Sequence, residues 1–404
     1  MTDSSLPSLK VIEKAPQAVP PVYNFVSSNK NTSIRNFIGL PEENVVVLGA
    51  RRIPAVASPV ASTHTALSIL TSVGFSHLSV KDYSKASKDL VPDIVIGLGE
   101  IPFGSEKISR KRTDRITDRT AKWMKEQIAN NEESPDAGST APALFAPLLP
   151  LTVDAQAWYL DQVVESMLPN VSGLAVYDTV SLVNLPQSLA EKPRISLTEP
   201  RTPHHVLRVL AMGIDLSTIP FIGQATDAGI ALDFAFPPPE TKDDSPQALG
   251  VDMWQTSYVT SVTPLSDGCT CYACTKHHRA YLQHLLMAKE MLGWVLLQIH
   301  NHHILDVFFA GVRESISNDT FERDVEAFGK YYEAELPAKS GQGPRVRGYQ
   351  FRSEGPSEPR RNPAPYKNFN DQSEKIADAV TGSALPDANV DAGELEEKGF
   401  GEQT

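Results

Sequence analysis

Cys269, Cys271 and Cys274 are the three cysteines of the 404-residue chain, and all fall in the run GCTCYACTKHHRAYLQHLLMAKEMLGWVLLQIHNHH at 268–303. The C-x-C-x-x-C spacing lets three soft thiolates converge on one ion from a single tight loop, which is zinc chemistry. Zinc takes a fourth ligand, and histidine is the usual completion of a three-cysteine site. His277, His278, His284, His300, His302 and His303 all stand nearby in sequence. Buried free thiols would leave the spacing unexplained, and a redox C-x-x-C pair would leave Cys269 over.

Geometry narrows the choice of histidine. One straight helix over 276–300 would put His300 about 36 Å from the cysteines, at roughly 1.5 Å per residue. A zinc–nitrogen bond is about 2 Å, so His300 can ligate only if the chain doubles back. A break between Ala288 and Gly293 would give two antiparallel helices of similar length. Leu282, Leu285 and Leu286 would line the first, and Leu292, Val295, Leu296 and Ile299 the second. His277 and His278 are nearer in sequence, but they open the first helix, where capping is their alternative role. A site with four protein ligands has no open position and is structural.

The elements that must carry this loop are short apolar runs alternating with helical patterns. Strands are predicted at 44–50, 93–100, 142–152, 171–180, 194–200 and 214–222, and helices at 61–74, 80–89, 107–130, 154–167 and 203–212. Near-continuous apolar strands spaced by helices imply a parallel sheet covered on both faces. Six such units suit a (β/α) barrel or a doubly wound sheet, and periodicity does not choose between them. The Pro- and charge-rich stretch 237–250 reads as a surface insertion. From 337 to 404 the chain is rich in Pro, Gly, Ser and charge, and is expected to be mostly disordered.

Composition bounds the function. The chain is 41% hydrophobic and 21% charged, with a net charge of −12. That is an ordinary globular balance, and it disfavours a chain that grips a polyanion unaided. Three cysteines and no apolar leader point to a reducing, cytoplasmic setting. No run of about 18 apolar residues is present to span a membrane. Two segments are locally basic. Arg110, Lys111, Arg112, Arg115, Arg119 and Lys122 lie in 105–125 with Asp114 and Asp118 between them. Arg345, Arg347, Arg352, Arg360 and Arg361 are interleaved with Tyr349, Phe351 and Tyr366. Either could meet RNA phosphates or bases, and either could be a solvated surface or tail.

The run from Gly268 to Asn301 closely resembles the zinc signature of the tRNA-guanine (queuine) transglycosylases. In that family three cysteines and a histidine 26 residues after the last of them bind one zinc, and Cys274 plus 26 is His300. PRISLTEPRTPHHVLRVLAMGIDL (193–216) resembles the family's approach to its catalytic strand, and GLAVYD (173–178) its substrate-pocket strand. The resemblance extends from about Asn36 to Ser315. It implies an irregular (β/α)8 TIM-type barrel over 36–336 with an inserted zinc-binding helical subdomain at about 264–320. It also implies replacement of guanine in tRNA by a queuine-type base. Family members have more sequence before NFIGLPE (36–42), so residues 1–35 are expected to be a partly disordered extension and the barrel to be short of N-terminal strands.

The mismatches narrow the expectation. In catalytic members an aspartate nucleophile stands three residues after GID, followed by Pro-Thr-Arg. Here those positions hold Thr218 and, for the arginine, Gln224. A threonine hydroxyl without an adjacent base is a poor nucleophile. Asp215 matches the family's strand-end aspartate instead. The family's Asp-Ser-Gly-Gly-Phe-Gln string is missing, its base-reading aspartate falls at Gly99, and its Gln-Gly-Gly strand end falls near Leu149–Pro150–Leu151. Such side chains offer a purine no donors or acceptors. This pattern resembles the family's non-catalytic branch, with no catalytic residue of its own. There a zinc-containing barrel forms a heterodimer with a catalytic queuine tRNA-ribosyltransferase paralogue. The pair acts on the wobble guanine, position 34, of tRNAs for Asp, Asn, His and Tyr. A cytoplasmic complex, with peripheral association at the mitochondrial outer membrane, is implied by the resemblance alone. Two other readings stay open: an active transglycosylase using other residues, and a zinc-stabilised scaffold that does not touch tRNA.

Overall fold

Six apolar runs pair side by side in one parallel sheet, the same six that the sequence predicts as strands. The computed structural model describes residues 33–344, apart from 54–55, 57, 59–60, 72–73, 103–107, 133–141 and 241–244. In chain order the strands are β1 (Val47–Leu48), β2 (Ala66–Thr71), β3 (Gly74–Ser79), β4 (Ile94–Ile96), β5 (Ala143–Leu148), β6 (Gly173–Val176), β7 (Arg194–Ser196), β8 (Leu216–Ser217), β9 (Ile230–Leu232) and β10 (Gly250–Asp252). The helices are α1 (Ile34–Phe37), α2 (Val80–Leu90), α3 (Arg110–Glu132), α4 (Ala157–Gln162), α5 (Gln187–Ala190), α6 (Pro203–Ala211), α7 (Phe221–Ala228), α8 (Tyr272–Lys276), α9 (Arg279–Met287), α10 (Met291–Ser317) and α11 (Phe321–Tyr331).

The sheet order is β1-β4-β5-β6-β7-β8, and every neighbouring pair is parallel. This is a half-barrel of the TIM type, since eight strands close a barrel. Alternation along each strand separates two apolar layers. Val95, Leu144, Leu148, Leu174 and Val176 face the helices, where Trp123, Met124 and Tyr159 fill the core. Ile94, Ile96, Phe145, Ala175 and Ile195 form the inner layer. Gly173 is required here, because a Cβ would lie 2.5 Å from the Phe145 ring. The wholly buried Tyr83 hydroxyl donates to the Ile96 carbonyl at 2.6 Å and lies 3.1 Å from that of Leu48, tying β4 to β1.

A second core holds the C-terminal helices. Phe234 and Phe236, after β9, pack with Phe308 of α10 and Phe328 of α11 at ring distances of 5.4–6.3 Å. This anchors the C-terminal half of α10 on the sheet side and leaves its N-terminal half to carry the cysteine region. There a third core joins Leu282, Leu285 and Leu286 of α9 to Leu296 and Leu297 of α10.

Two expectations need correction. The predicted helix at 61–74 is instead the antiparallel hairpin β2–β3, registered from Ala66↔Ser79 to Thr71↔Gly74. Its Ser and Thr residues compete for backbone hydrogen bonds and disfavour helix: the Thr63 hydroxyl accepts from the N–H of Ala66. The two helices of the cysteine region are unequal, nine residues in α9 against 27 in α10. Of the segment from 337 to 404, expected to be mostly disordered, residues 337–344 are described. Ser340 donates to the Asp252 carboxylate, and Gly341 lies so close to Trp254 that a Cβ would sit 2.0 Å from the ring. The extension up to residue 32 and the tail from 345, including its arginines and aromatics, lie outside the described residues. Among the described residues no helix is long and apolar enough to cross a membrane.

Candidate metal centre

The loop 264–271 enters the site through a left-handed Gly268 (φ 74°), a conformation that costs glycine nothing. The Cys269 N–H donates to the Ser266 carbonyl at 3.3 Å. Cys271 then caps α8, its Sγ accepting from the Cys274 N–H at 3.3 Å. That single turn brings three thiols to one side. The chain reverses at Ala288–Glu290, where Lys289 takes φ 56°, within the interval the sequence indicates. Gly293 lets the helices close: a Cβ there would lie 3.1 Å from the Leu285 Cβ and 3.2 Å from Leu286 Cδ2.

His300 thereby returns to the cysteines. Its Nδ1 lies 3.6 Å from Cys269 Sγ, 3.6 Å from Cys271 Sγ and 3.4 Å from Cys274 Sγ. The four ligand atoms all lie within 4.8 Å of one another. A tetrahedral zinc, with Zn–S about 2.3 Å and Zn–N about 2.0–2.1 Å, separates sulfur from nitrogen by about 3.6 Å. The donor set and its dimensions fit such an ion. His300 Nε2 lies 2.8 Å from the Leu232 carbonyl, which can only accept. The proton therefore sits on Nε2, and the Nδ1 lone pair faces the sulfurs.

Burial sets the electrostatics. It pushes the Cys269 thiol up to about 12 and raises that of Cys274; Cys271 and Cys274 add to the first, while at Cys274 the Cys271 thiol adds and the hydrogen bond with Cys269 opposes. It also lowers the His300 pKa, against the opposing Leu232 hydrogen bond. Without a cation the Cys269 and Cys274 thiols hold their protons and the imidazole is neutral; a divalent ion at the centre favours the thiolates.

The remaining histidines stand apart. His278 caps α9, Nδ1 accepting from the Tyr281 N–H at 3.2 Å, and His277 stacks on Tyr281 at 4.9 Å. His303 Nε2 lies 3.4 Å from Thr270 Oγ1. His284 is exposed on α9, and His302 is half-buried on α10.

At the carboxyl ends of the sheet strands, Thr218 Oγ1 lies 3.2 Å from the carbonyl oxygens of both Ser196 and Thr198. Asp215 accepts from the Arg194 N–H at 2.8 Å, the strand-end role its position suggests. Leu149 and Leu151 are buried with Ile116, against Ile101 and Ile108. Gly99 sits behind them, where a Cβ would lie 3.0 Å from Pro147. Gln224 is exposed on α7. Arg119 and Glu100 pair, with Nη1 reaching both Glu100 oxygens at 3.0 Å, and Arg51 donates to the Gly99 carbonyl at 3.3 Å. Arg119 is thus withdrawn from the basic face expected on α3, while Arg115 and Lys122 are exposed. Sequence reasoning missed Leu232, Asp233, Ser266 and Asn301, which surround the ligands. Only the polar Asn301 beside His300, between the apolar runs of α10, hinted at them.

Residues 20–334 match the family described as queuine tRNA-ribosyltransferase. The chain is 35% identical over 333 residues to the queuine tRNA-ribosyltransferase accessory subunit 2 of Schizosaccharomyces pombe, covering 81% of this chain and 73% of that protein. It is 28% identical over 303 residues to the same-named protein of Drosophila grimshawi, covering 72% and 71%. With that of Drosophila melanogaster it shares 27% over 315 residues, covering 74% and 73%.

Proposed function

Because this chain belongs to the queuine tRNA-ribosyltransferase family, we propose that it is the non-catalytic, accessory partner of a catalytic paralogue. The heterodimer exchanges guanine for queuine at position 34 of tRNAs with GUN anticodons, those for Asp, Asn, His and Tyr. The names of its relatives support this reading. The observation that carries it is the end of β8. Thr218 offers no carboxylate, and its hydroxyl is engaged by two main-chain carbonyls. Further along the same edge of the sheet, the ends of β4 and β5 carry Gly99, Leu149 and Leu151, whose side chains have no groups to read a purine edge. The six-stranded half-barrel is the larger part of the family's (β/α)8 barrel.

One zinc is held by Cys269, Cys271, Cys274 and His300. Its role is structural, since four protein donors leave no position for water or substrate. The outer face of α10 supports the pairing. Leu292, Val295 and Ile299 are 45%, 48% and 39% exposed, beside the exposed Met287 and Met291. Such a contiguous apolar stripe is costly in water and favours cover by another subunit. The complex acts in the cytoplasm.

Guanine exchange by the purified chain, alone and mixed with a catalytic paralogue, tests this. Turnover only in the mixture is expected. Turnover by the chain alone would overturn the reading, and no gain on mixing would leave only a zinc-stabilised scaffold.

A further inference from the structure

The two halves of the metal centre come from separate stretches of chain, yet both hang on one short strand. We propose that Asn301 and Asp233 are its positioning residues, Asn301 locking the imidazole and Asp233 the cysteine loop to the end of β9. This rests on the zinc reading above.

Helix α10 grips β9 with two consecutive buried residues. His300 Nε2 donates to the Leu232 carbonyl at 2.8 Å. Asn301 Oδ1 accepts from the N–H of that same residue at 2.8 Å. Asn301 Nδ2 donates to the Ile230 carbonyl at 3.0 Å and to Thr226 Oγ1 at 2.9 Å. The partners fix the amide orientation, because one side must accept and the other donate. The two-point grip stops α10 from sliding on the strand. A slip of one residue is about 1.5 Å, enough to take Nδ1 out of reach of an ion held by the sulfurs.

The next residue along secures the other half. Asp233 Oδ1 accepts from Ser266 Oγ at 2.6 Å, and the Ser266 carbonyl accepts the Cys269 N–H at 3.3 Å. Neither Asn301 nor Asp233 belongs to the ligand set; each acts through another residue. An apolar residue at 301 would leave the Leu232 N–H and Ile230 carbonyl buried without partners.

The test uses the full chain, prepared zinc-free and reloaded with zinc or Co2+. Asn301→Ala is expected to lower zinc affinity about 10–100-fold against a competing chelator and to alter the Co2+ d–d spectrum. Melting of the zinc-free form should move less than that of the zinc form. Ser266→Ala, which cuts the Asp233 link without changing charge, should weaken zinc in the same direction. Unchanged affinity and spectrum in both variants would overturn the proposal, leaving Asn301 and Asp233 as packing residues. Should Asn301→Ala fail to fold, Ser266→Ala decides by the same two readouts. An unaltered chain that takes up no zinc overturns the metal reading itself, and this inference with it.

Discussion

Thr218 donates its side-chain hydroxyl to the main chain of Ser196, 3.2 Å away on the neighbouring strand. At the position that the sequence resemblance assigns to the nucleophile of catalytic members, this chain closes a strand-to-strand contact. Restoring a carboxylate should therefore not restore chemistry. Thr218→Asp is expected to show no guanine exchange alone, and to lose about 1–3 kcal/mol of stability because its carboxylate would face two carbonyl oxygens. An exchange assay beside a thermal melt checks both.

The metal prediction is stoichiometric. Elemental analysis should find about one zinc per chain, and His300→Ala should release it. Loss of a structural zinc removes folding energy directly, so both the variant and chelator-treated protein should melt well below the parent. A His300→Ala chain that kept its zinc would move the fourth ligand to another histidine.

Zinc uptake should depend on pH in a known direction. Desolvation raises the Cys269 and Cys274 thiols, Cys269 to about 12, and so these two keep their protons at neutral pH until metal displaces them. Zinc binding then expels protons, and affinity rises about tenfold per pH unit for each proton released. The zinc-free chain behaves oppositely. A thiol raised above its unfolded value of about 8.5 contributes stability fully below that pH, and loses it as pH climbs toward the folded value. Chelator competition and thermal melts across this range would expose either sign as wrong.

Gly293 sets how closely α9 and α10 approach. Gly293→Val places a branched side chain where even a Cβ would lie 3.1 Å from Leu285. Overpacking of this kind costs about 1–3 kcal/mol, and here it should also loosen zinc. Parallel measurements of melting and zinc content test the coupling.

The outer face of α10 gives a prediction that separates folding from pairing. Val295→Glu is an exposed substitution and should change stability by no more than about 0.5 kcal/mol. It should weaken capture of the catalytic paralogue at least tenfold. Equal capture by parent and variant would place the interface elsewhere.

How far the sequence reveals these features depends on how local each cause is. The six sheet strands are visible because buried parallel strands are apolar on both faces and need no partner to be recognised. The reversal near Lys289 is visible because a metal radius is short and a helix rise is fixed. The face that α10 leaves bare is not visible. Leu292, Val295 and Ile299 carry the same apolar spacing whether they meet α9 or solvent, and only Leu296 of the expected stripe is buried. The hairpin at 66–79 is misread because Ala66 and its leucines suit a helix until the two strands find each other. The grip of Asn301 on β9 spans some 70 residues and leaves almost no local trace.

Trp254 offers a way to watch the cysteine region without a label. Its indole N–H donates to the Ala228 carbonyl at 3.0 Å, and its ring is held close against the backbones of Gly229 and Gly341. Trp294, on the N-terminal half of α10, lies 6.4 Å away. Trp254 is thus fixed beside β10 and the end of α7, and Trp294 rides on the α9–α10 hairpin. In a chain whose Trp123 and Trp158 are replaced by phenylalanine, movement of the hairpin against β10 would be written into the emission of these two residues.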